Sequence, residues 1–389
     1  MIDRLRRWLA GSGDALSLER AVRSVADSQR ESALALEARV DALARQVAQQ
    51  ASKDSLETLH AVRSLHRSLR RDYEAKLYKA LDATAKGSGP IIAGPWTGEV
   101  GFELLYWIPF VRWFHSRWQV DGRRFVIVSR GGAGRWYGIE GARTIDILSL
   151  VPPEVFRART DPVEHKQRAL APFERDLADR VAQSLAPAEP GLLHPELMYR
   201  LFAPFWRDEE GFGVVDRFTI HRRLPPADAG IIPLPADYVA VRFYFSNALP
   251  DTSDNREAIR AIVCALARQT AVVMLNPGVR VDDHDDIDLP AMANVWSLPP
   301  AAPEDNLAMQ SAVIGRARGF VGTYGGFSYL APFHGVPSIA FYSQPTFRLQ
   351  HLQVAQRVFA RLGKANLVAV DAAQAPLLHM ATHGAVVSR

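Results

Sequence analysis

Gly319-Phe320-Val321-Gly322-Thr323-Tyr324-Gly325-Gly326-Phe327-Ser328-Tyr329-Leu330-Ala331-Pro332-Phe333-His334-Gly335-Val336-Pro337-Ser338-Ile339-Ala340-Phe341-Tyr342 reads as strand, glycine turn, short helix, strand. That order builds a phosphate site. Gly325 and Gly326 let a ligand approach the backbone closely, and the amides that open the following helix favour negative charge. Gly335 closes the helix, and Val336-Pro337 opens the next strand. The plainer alternative is a βαβ unit with a tight turn.

A second stretch has the same order. Ile91-Ile92-Ala93-Gly94-Pro95-Trp96-Thr97-Gly98-Glu99-Val100-Gly101-Phe102-Glu103-Leu104-Leu105-Tyr106-Trp107-Ile108-Pro109-Phe110 runs from an apolar strand through a glycine-rich turn into a helix, and here the turn carries carboxylates. Two such units, this far apart, predict an α/β protein of two Rossmann-like domains facing one another across a cleft. Ligands in such folds sit beyond the carboxyl ends of the strands, where both turns fall.

Composition fits that size. The chain has 389 residues, 48% of them apolar, enough for two or three domains with a large core. All of the net charge of +4 lies in residues 1–86, where 16 Lys and Arg face 12 Asp and Glu; residues 87–389 carry 30 of each. The high pI therefore does not mark the body as a nucleic-acid binder. Cys264 is the single cysteine, which excludes an internal disulfide and a cysteine-rich metal site and fits a reducing compartment. No apolar run approaches the roughly 18 residues of a membrane span, and Met1-Ile2-Asp3-Arg4 leads into no signal-peptide core, so a cytoplasmic location is expected.

From Leu16 to Leu81 the sequence lacks proline and is rich in Ala, Leu, Arg, Glu and Gln. Leu36, Val40, Leu43 and Val47 recur at alternating spacings of four and three, as in a coiled coil, and Leu59, Val62, Leu69, Tyr73 and Leu77 continue less regularly. Residues 1–86 are thus expected to form a helical coiled-coil arm that self-associates; the alternative is an arm packed on its own body. Ile2, Leu5, Trp8 and Leu9 opposite Arg4, Arg6 and Arg7 suit peripheral contact with anionic lipid, or a frayed helix end. Lys86-Gly87-Ser88-Gly89-Pro90 breaks arm from body. The body is expected to divide into two Rossmann-like domains, 87–230 and 231–389.

Strands are expected at Ile91–Ala93, Arg124–Ser129, Thr144–Leu150, Tyr238–Phe245, Ala271–Leu275, Val295–Leu298 and Leu367–Val370, besides those of the opening stretch. Helices are expected at Phe102–Trp118, Val163–Ser184, Pro195–Phe205, Asn255–Gln269, Glu304–Arg316 and Leu349–Leu362. Their alternation implies parallel sheets covered on both faces.

From about Pro90 to Val370 the chain resembles the two-Rossmann GT-B glycosyltransferases, and among them the bacterial heptosyltransferase and Kdo-transferase-like enzymes of surface polysaccharide synthesis. In those enzymes a Gly-Asp or Gly-Glu pair after the first strand supplies the catalytic base, followed by an apolar helix with an early proline; Gly98-Glu99-Val100 and Pro109 are similar. Val321-Gly322-Thr323-Tyr324-Gly325-Gly326 and Gly335-Val336-Pro337 look like their donor-phosphate element. The run Gly101-Phe102-Glu103-Leu104-Leu105-Tyr106-Trp107 and the arm depart from the pattern.

The resemblance implies transfer of a sugar from a nucleotide-activated donor to a glycan or glycolipid hydroxyl, without a metal, the nucleotide-sugar being a substrate and no cofactor being required. Glu99 becomes the candidate base. Glu103, four residues on, shares its face if the helix has already begun, either in an acceptor-binding role or as a charge complementing the helix dipole. Arg242, near the cleft end of its strand, suits a phosphate, or else forms a surface ion pair. Thr323, Tyr324, Gly325, Gly326 and Ser328 complete the donor pocket. Arg130, Arg135, Trp136 and Tyr137, in the Ser129–Tyr137 loop, suit an acceptor, unless the loop is plain surface. Asp282-Asp283-His284-Asp285-Asp286-Ile287-Asp288 is read as a solvated loop or nucleoside rim in preference to a metal site. His334 and Cys264 are assigned no chemistry. Two rivals stand beside the transferase: a nucleotide-sugar epimerase of the same shape, and a non-catalytic scaffold whose arm is the working part.

Overall fold

The structure, a computed structural model, describes residues 71–158, 167–226, 232–275, 285–287, 292–345, 349–363 and 365–374. Two parallel sheets organise it. The first takes β1 (Ile91–Ala93), β2 (Phe125–Ser129), β3 (Arg143–Asp146) and β4 (Gly191–Leu193) in the order β3-β2-β1-β4. Every residue of β1 and β2 is buried, because helices cover both faces and leave no polar side to the alternation. Ile92, Val126 and Val128 meet Phe156, Leu177 and Val181 on one face; Ile91, Ala93, Phe125 and Ile127 turn to the other. β4 was absent from the expected strands, since three residues after a proline carry no usable period.

The second sheet takes β5 (Tyr238–Arg242), β7 (Ala271–Met274), β9 (Val295–Ser297), β10 (Gly319–Thr323), β11 (Ser338–Tyr342) and β12 (Leu367–Asp371), in the order β12-β11-β10-β5-β7-β9, all parallel. The expected strand Tyr238–Phe245 divides at Phe243. Its last two residues leave the sheet as β6 (Tyr244–Phe245) and pair antiparallel with β8 (Asp285–Asp286). Val239, Val241, Val321 and Ile339 pack on Ile259 and Val263 of the helix Ser253–Ala267. Their alternates Ala240, Phe320, Ala340 and Leu367 join one hydrophobic core with Ile91, Phe125, Phe110 and Phe202 of the first lobe. The core is continuous through both sheets.

Residues 71–86 form a helix that belongs to this body. Leu77, Leu81 and Ala85, at successive spacings of four, are buried in the shared core, and Tyr78 lies against Trp113, Trp118 and Phe218. Trp118 Nε1 donates to Asp82 Oδ1 (3.1 Å). The break at Lys86–Pro90 therefore ends the helix without detaching it, and Leu77, expected on a self-association seam, faces the chain's own core instead. Tyr73, also expected on that seam, is 48% exposed; the seam positions from Leu36 through Leu69 and the lipid-contact residues 1–10 lie outside the described residues. Leu81→Ala is expected to destabilise the fold by about 2–5 kcal/mol in denaturant titration, as a fully buried leucine should, whereas a solvated arm would lose almost nothing. Among the described residues, no helix is long and apolar enough to cross a membrane.

Candidate functional site

Strand order locates the candidate site. In the first sheet the chain leaves β1 toward β2 and β3 but returns to its other side as β4, so the switch point lies beyond the carboxyl ends of β1 and β4. In the second, β7 and β9 extend from one side of β5, and β10, β11 and β12 from the other. Its switch point lies beyond Arg242 and Thr323. Both glycine turns emerge at these points.

After β1 the turn rises through Pro95–Gly98 to Glu99, whose backbone is extended (φ −67°, ψ 144°) and whose carbonyl accepts from the Glu103 amide (3.1 Å). Glu99 is the single exposed residue between Ile91 and Phe114. Its charge acts on Tyr199 of the first lobe and on Tyr329 of the second.

Glu103 goes elsewhere. The helix begins only at Val100, and residues Glu103–Trp107 form a π-helical turn, so the four-residue spacing does not put the two carboxylates on one face. Glu103 is fully buried: Oε1 accepts from Ser129 Oγ (2.6 Å) and Tyr137 Oη (2.9 Å), and Oε2 lies 3.9 Å from Arg130. Burial pushes its carboxyl up to about 7, against the pull of Arg130 and the two hydroxyls. It is closed off from solvent.

The expected acceptor loop is likewise drawn inward. Gly131 and Gly132, at φ +63° and +80°, turn the chain onto the second lobe's helix Asn306–Arg316, where Ala308 N donates to Gly131 O (2.8 Å). A methyl group on Gly132 would stand 2.6 Å from Ala308 Cβ. Arg112 holds the carbonyls of Trp136 (2.6 Å) and Tyr137 (2.8 Å). Trp136 is therefore buried, with Nε1 donating to Ser311 Oγ (3.1 Å), which in turn lies 2.8 Å from His334 Nε2. Tyr137 and Arg130 are buried too, so neither aromatic face is open to a sugar. Arg135 alone of the four is exposed.

In the second lobe, the glycines serve contact between the lobes. A Cβ on Gly326 would stand 2.8 Å from both Gly101 N and Val100 Cβ, and the space beside Gly325 is filled by the Tyr244 hydroxyl. The two glycine turns thus touch, and Glu99 and Gly326 belong to one seam. Thr323 is fully buried, its hydroxyl donating to Tyr244 O (2.8 Å) and accepting from Tyr244 N (2.9 Å). Tyr324 Oη meets Tyr329 Oη (2.6 Å), and Ser328 Oγ donates to Gly325 O (2.6 Å), closing the first turn of the helix Gly326–His334. Arg242 is buried, not on the surface. It donates to Leu275 O, and its guanidinium stands 5.3 Å from the Phe327 ring centroid at that same first turn.

Residues distant in sequence complete the surroundings. Gln167 and Glu174 bind the Pro95–Gly98 turn from within, His194 lies against Glu174, and Tyr106 Oη meets His351 Nδ1 (2.7 Å) across the lobes. No local motif marks them. Among the described residues no group of three or more His, Cys, Asp or Glu could hold a metal ion; the side chains of the acidic run 282–286 and of Asp288 lie outside them. Cys264 is half-buried against Met292, its Sγ 3.4 Å from the thioether sulfur.

No protein-family model and no curated protein matches the chain. It is similar in structure to the iron-containing dodecameric glycosyltransferase TibC of enterotoxigenic E. coli, with 14% identity over 66% of this chain and a TM-score of 0.37. It spans only 59% of the length of that protein. A family 9 glycosyltransferase from Veillonella parvula is similar at 13% identity, over 74% of this chain and 87% of its own, with a TM-score of 0.37. The spinosyn rhamnosyltransferase SpnG matches at 13% identity over 76% and 96%, with a TM-score of 0.31. At such scores the likeness has no weight for the chemistry, which rests on the residues themselves.

Proposed function

We propose that the chain is a GT-B-type glycosyltransferase that moves a sugar from a nucleotide-activated donor to a hydroxyl of a glycan or glycolipid, without a metal, and that Glu99 removes the acceptor proton as the bond forms. What supports this most is Glu99 itself, the single exposed residue between Ile91 and Phe114, lying at a seam where the two glycine turns meet. A side chain held that way serves no packing purpose. The departing phosphate would find its compensation at the amino end of the Gly326–His334 helix and in Arg242 beside its first turn. Self-association through the spaced apolar residues before 71 belongs to the same proposal and rests on their spacing alone.

The test is a thermal-shift panel of GDP, UDP, ADP, CMP and dTDP on the full chain. One nucleotide at about 100 times its Kd should stabilise the fold by about 2.7 kcal/mol, read as a shift of several degrees. Absence of any shift sinks the donor reading, and turnover of the nucleotide-sugar without an acceptor would favour an epimerase. Transfer should survive EDTA; loss restored by Mg2+ or Mn2+ would overturn metal independence.

A further inference from the structure

We propose that Gln167 is a positioning residue for Glu99, a role that rests on the transferase reading. Gln167 is 2% exposed, and its side chain takes hold of the Pro95–Gly98 turn. Its Oε1 accepts from the amides of Thr97 (3.0 Å) and Gly98 (3.2 Å), while Nε2 donates to Pro95 O (2.7 Å). One carboxamide, with an acceptor and a donor in one plane, thereby fixes three of the four residues that lead into Glu99. Other side chains supply a donor or an acceptor there but not both in that geometry.

The clamp has its own support. Thr97 Oγ1 donates to Glu174 Oε1 (2.8 Å), and Glu174 Oε2 accepts from Ala171 N (3.1 Å) and lies 3.2 Å from His194 Nε2. His194 Nδ1 accepts from Glu196 N (3.2 Å), which holds the ring beside Glu174. The turn is thus fixed from the 167–174 segment, and Gly94 N just before it donates to Leu193 O (3.0 Å) at the end of β4. Losing the clamp leaves two buried amides without an acceptor and lets the turn shift.

The experiment compares Gln167→Leu and the milder Gln167→Glu, which keeps both acceptor contacts and, as the buried neutral acid, can still donate to Pro95 O, with the parent chain. Hydrogen exchange of the Thr97 and Gly98 amides should quicken at least about tenfold in Gln167→Leu, and less in Gln167→Glu. A misplacement of about 1 Å at a reacting group costs up to about 10²-fold, so kcat should fall about 10–100-fold in Gln167→Leu with donor KM within about twofold. In a Glu99→Gln background the same change should cost less than about twofold more, since the residue acts through Glu99. Equal losses in both backgrounds would overturn the proposal. So would unchanged amide exchange, which is read without any activity. If no transfer is found in the parent chain, or if Glu99→Gln works at full rate, the transferase reading fails and the exchange result still decides whether Gln167 holds the turn.

Discussion

Glu99→Gln is expected to lower glycosyl transfer by about 10²–10⁴-fold, the usual contribution of a positioned general base, while nucleotide binding stays within about twofold. The amide is nearly isosteric and the parent side chain is exposed, so the fold should not register the change. Its carboxylate lies on the first-lobe side of the seam, while Arg242 and the helix amides that would meet the donor lie on the second. Loss of kcat with intact nucleotide affinity is therefore the signature of a base. Retention of the parent rate would remove Glu99 from the mechanism, and loss of nucleotide affinity would move it to the donor side. Glu99→Asp, which shortens the reach by one methylene, should recover only part of the rate.

The second large effect concerns Glu103 and is one of stability. Glu103→Ala should cost about 3–5 kcal/mol at neutral pH, because it strips a buried carboxylate from the guanidinium of Arg130 and from the hydroxyls of Ser129 and Tyr137. Glu103→Gln tests the electrostatics separately. In the folded chain this carboxyl titrates at about 7, above its ordinary 4.5, because burial disfavours the anion. Between these values the folded state holds a proton that the unfolded chain has released. The stability so contributed is fully present below pH 4.5 and is lost as pH rises toward 7, amounting to roughly 3 kcal/mol. Relative to the parent, Glu103→Gln should gain about that much between pH 4.5 and 7.5 in denaturant titrations, whatever constant offset follows from Arg130. A difference that stays flat with pH would mean that Glu103 is ionised throughout.

Much of the fold was legible because alternation and glycine punctuation are local. Ile91–Ala93 and Gly319–Tyr342 announce strand, turn and helix within a few residues, and their meeting at one seam follows from parallel topology. What side chains do at that seam was less legible, since it depends on contacts made far along the chain. Trp136 and Tyr137 look like open faces in sequence, yet Gly131 and Gly132 fold their loop onto Leu307 and Ala308, more than 170 positions later. The π-helical turn is another instance. It lies in the run that departs from the pattern of the resemblance, and Glu99, with extended backbone before the helix, is not on the face that the buried Glu103 takes. Gln167 had no signature, because a single carboxamide capping a distant turn leaves no periodic trace.

The unbroken interior that links both sheets has a practical meaning for anyone wishing to divide the molecule. Neither half is a portable module. Cut at residue 231, each piece would present a broad greasy flank where its counterpart used to lie, so the halves would be recovered by reassembly when made together and as precipitate when made apart.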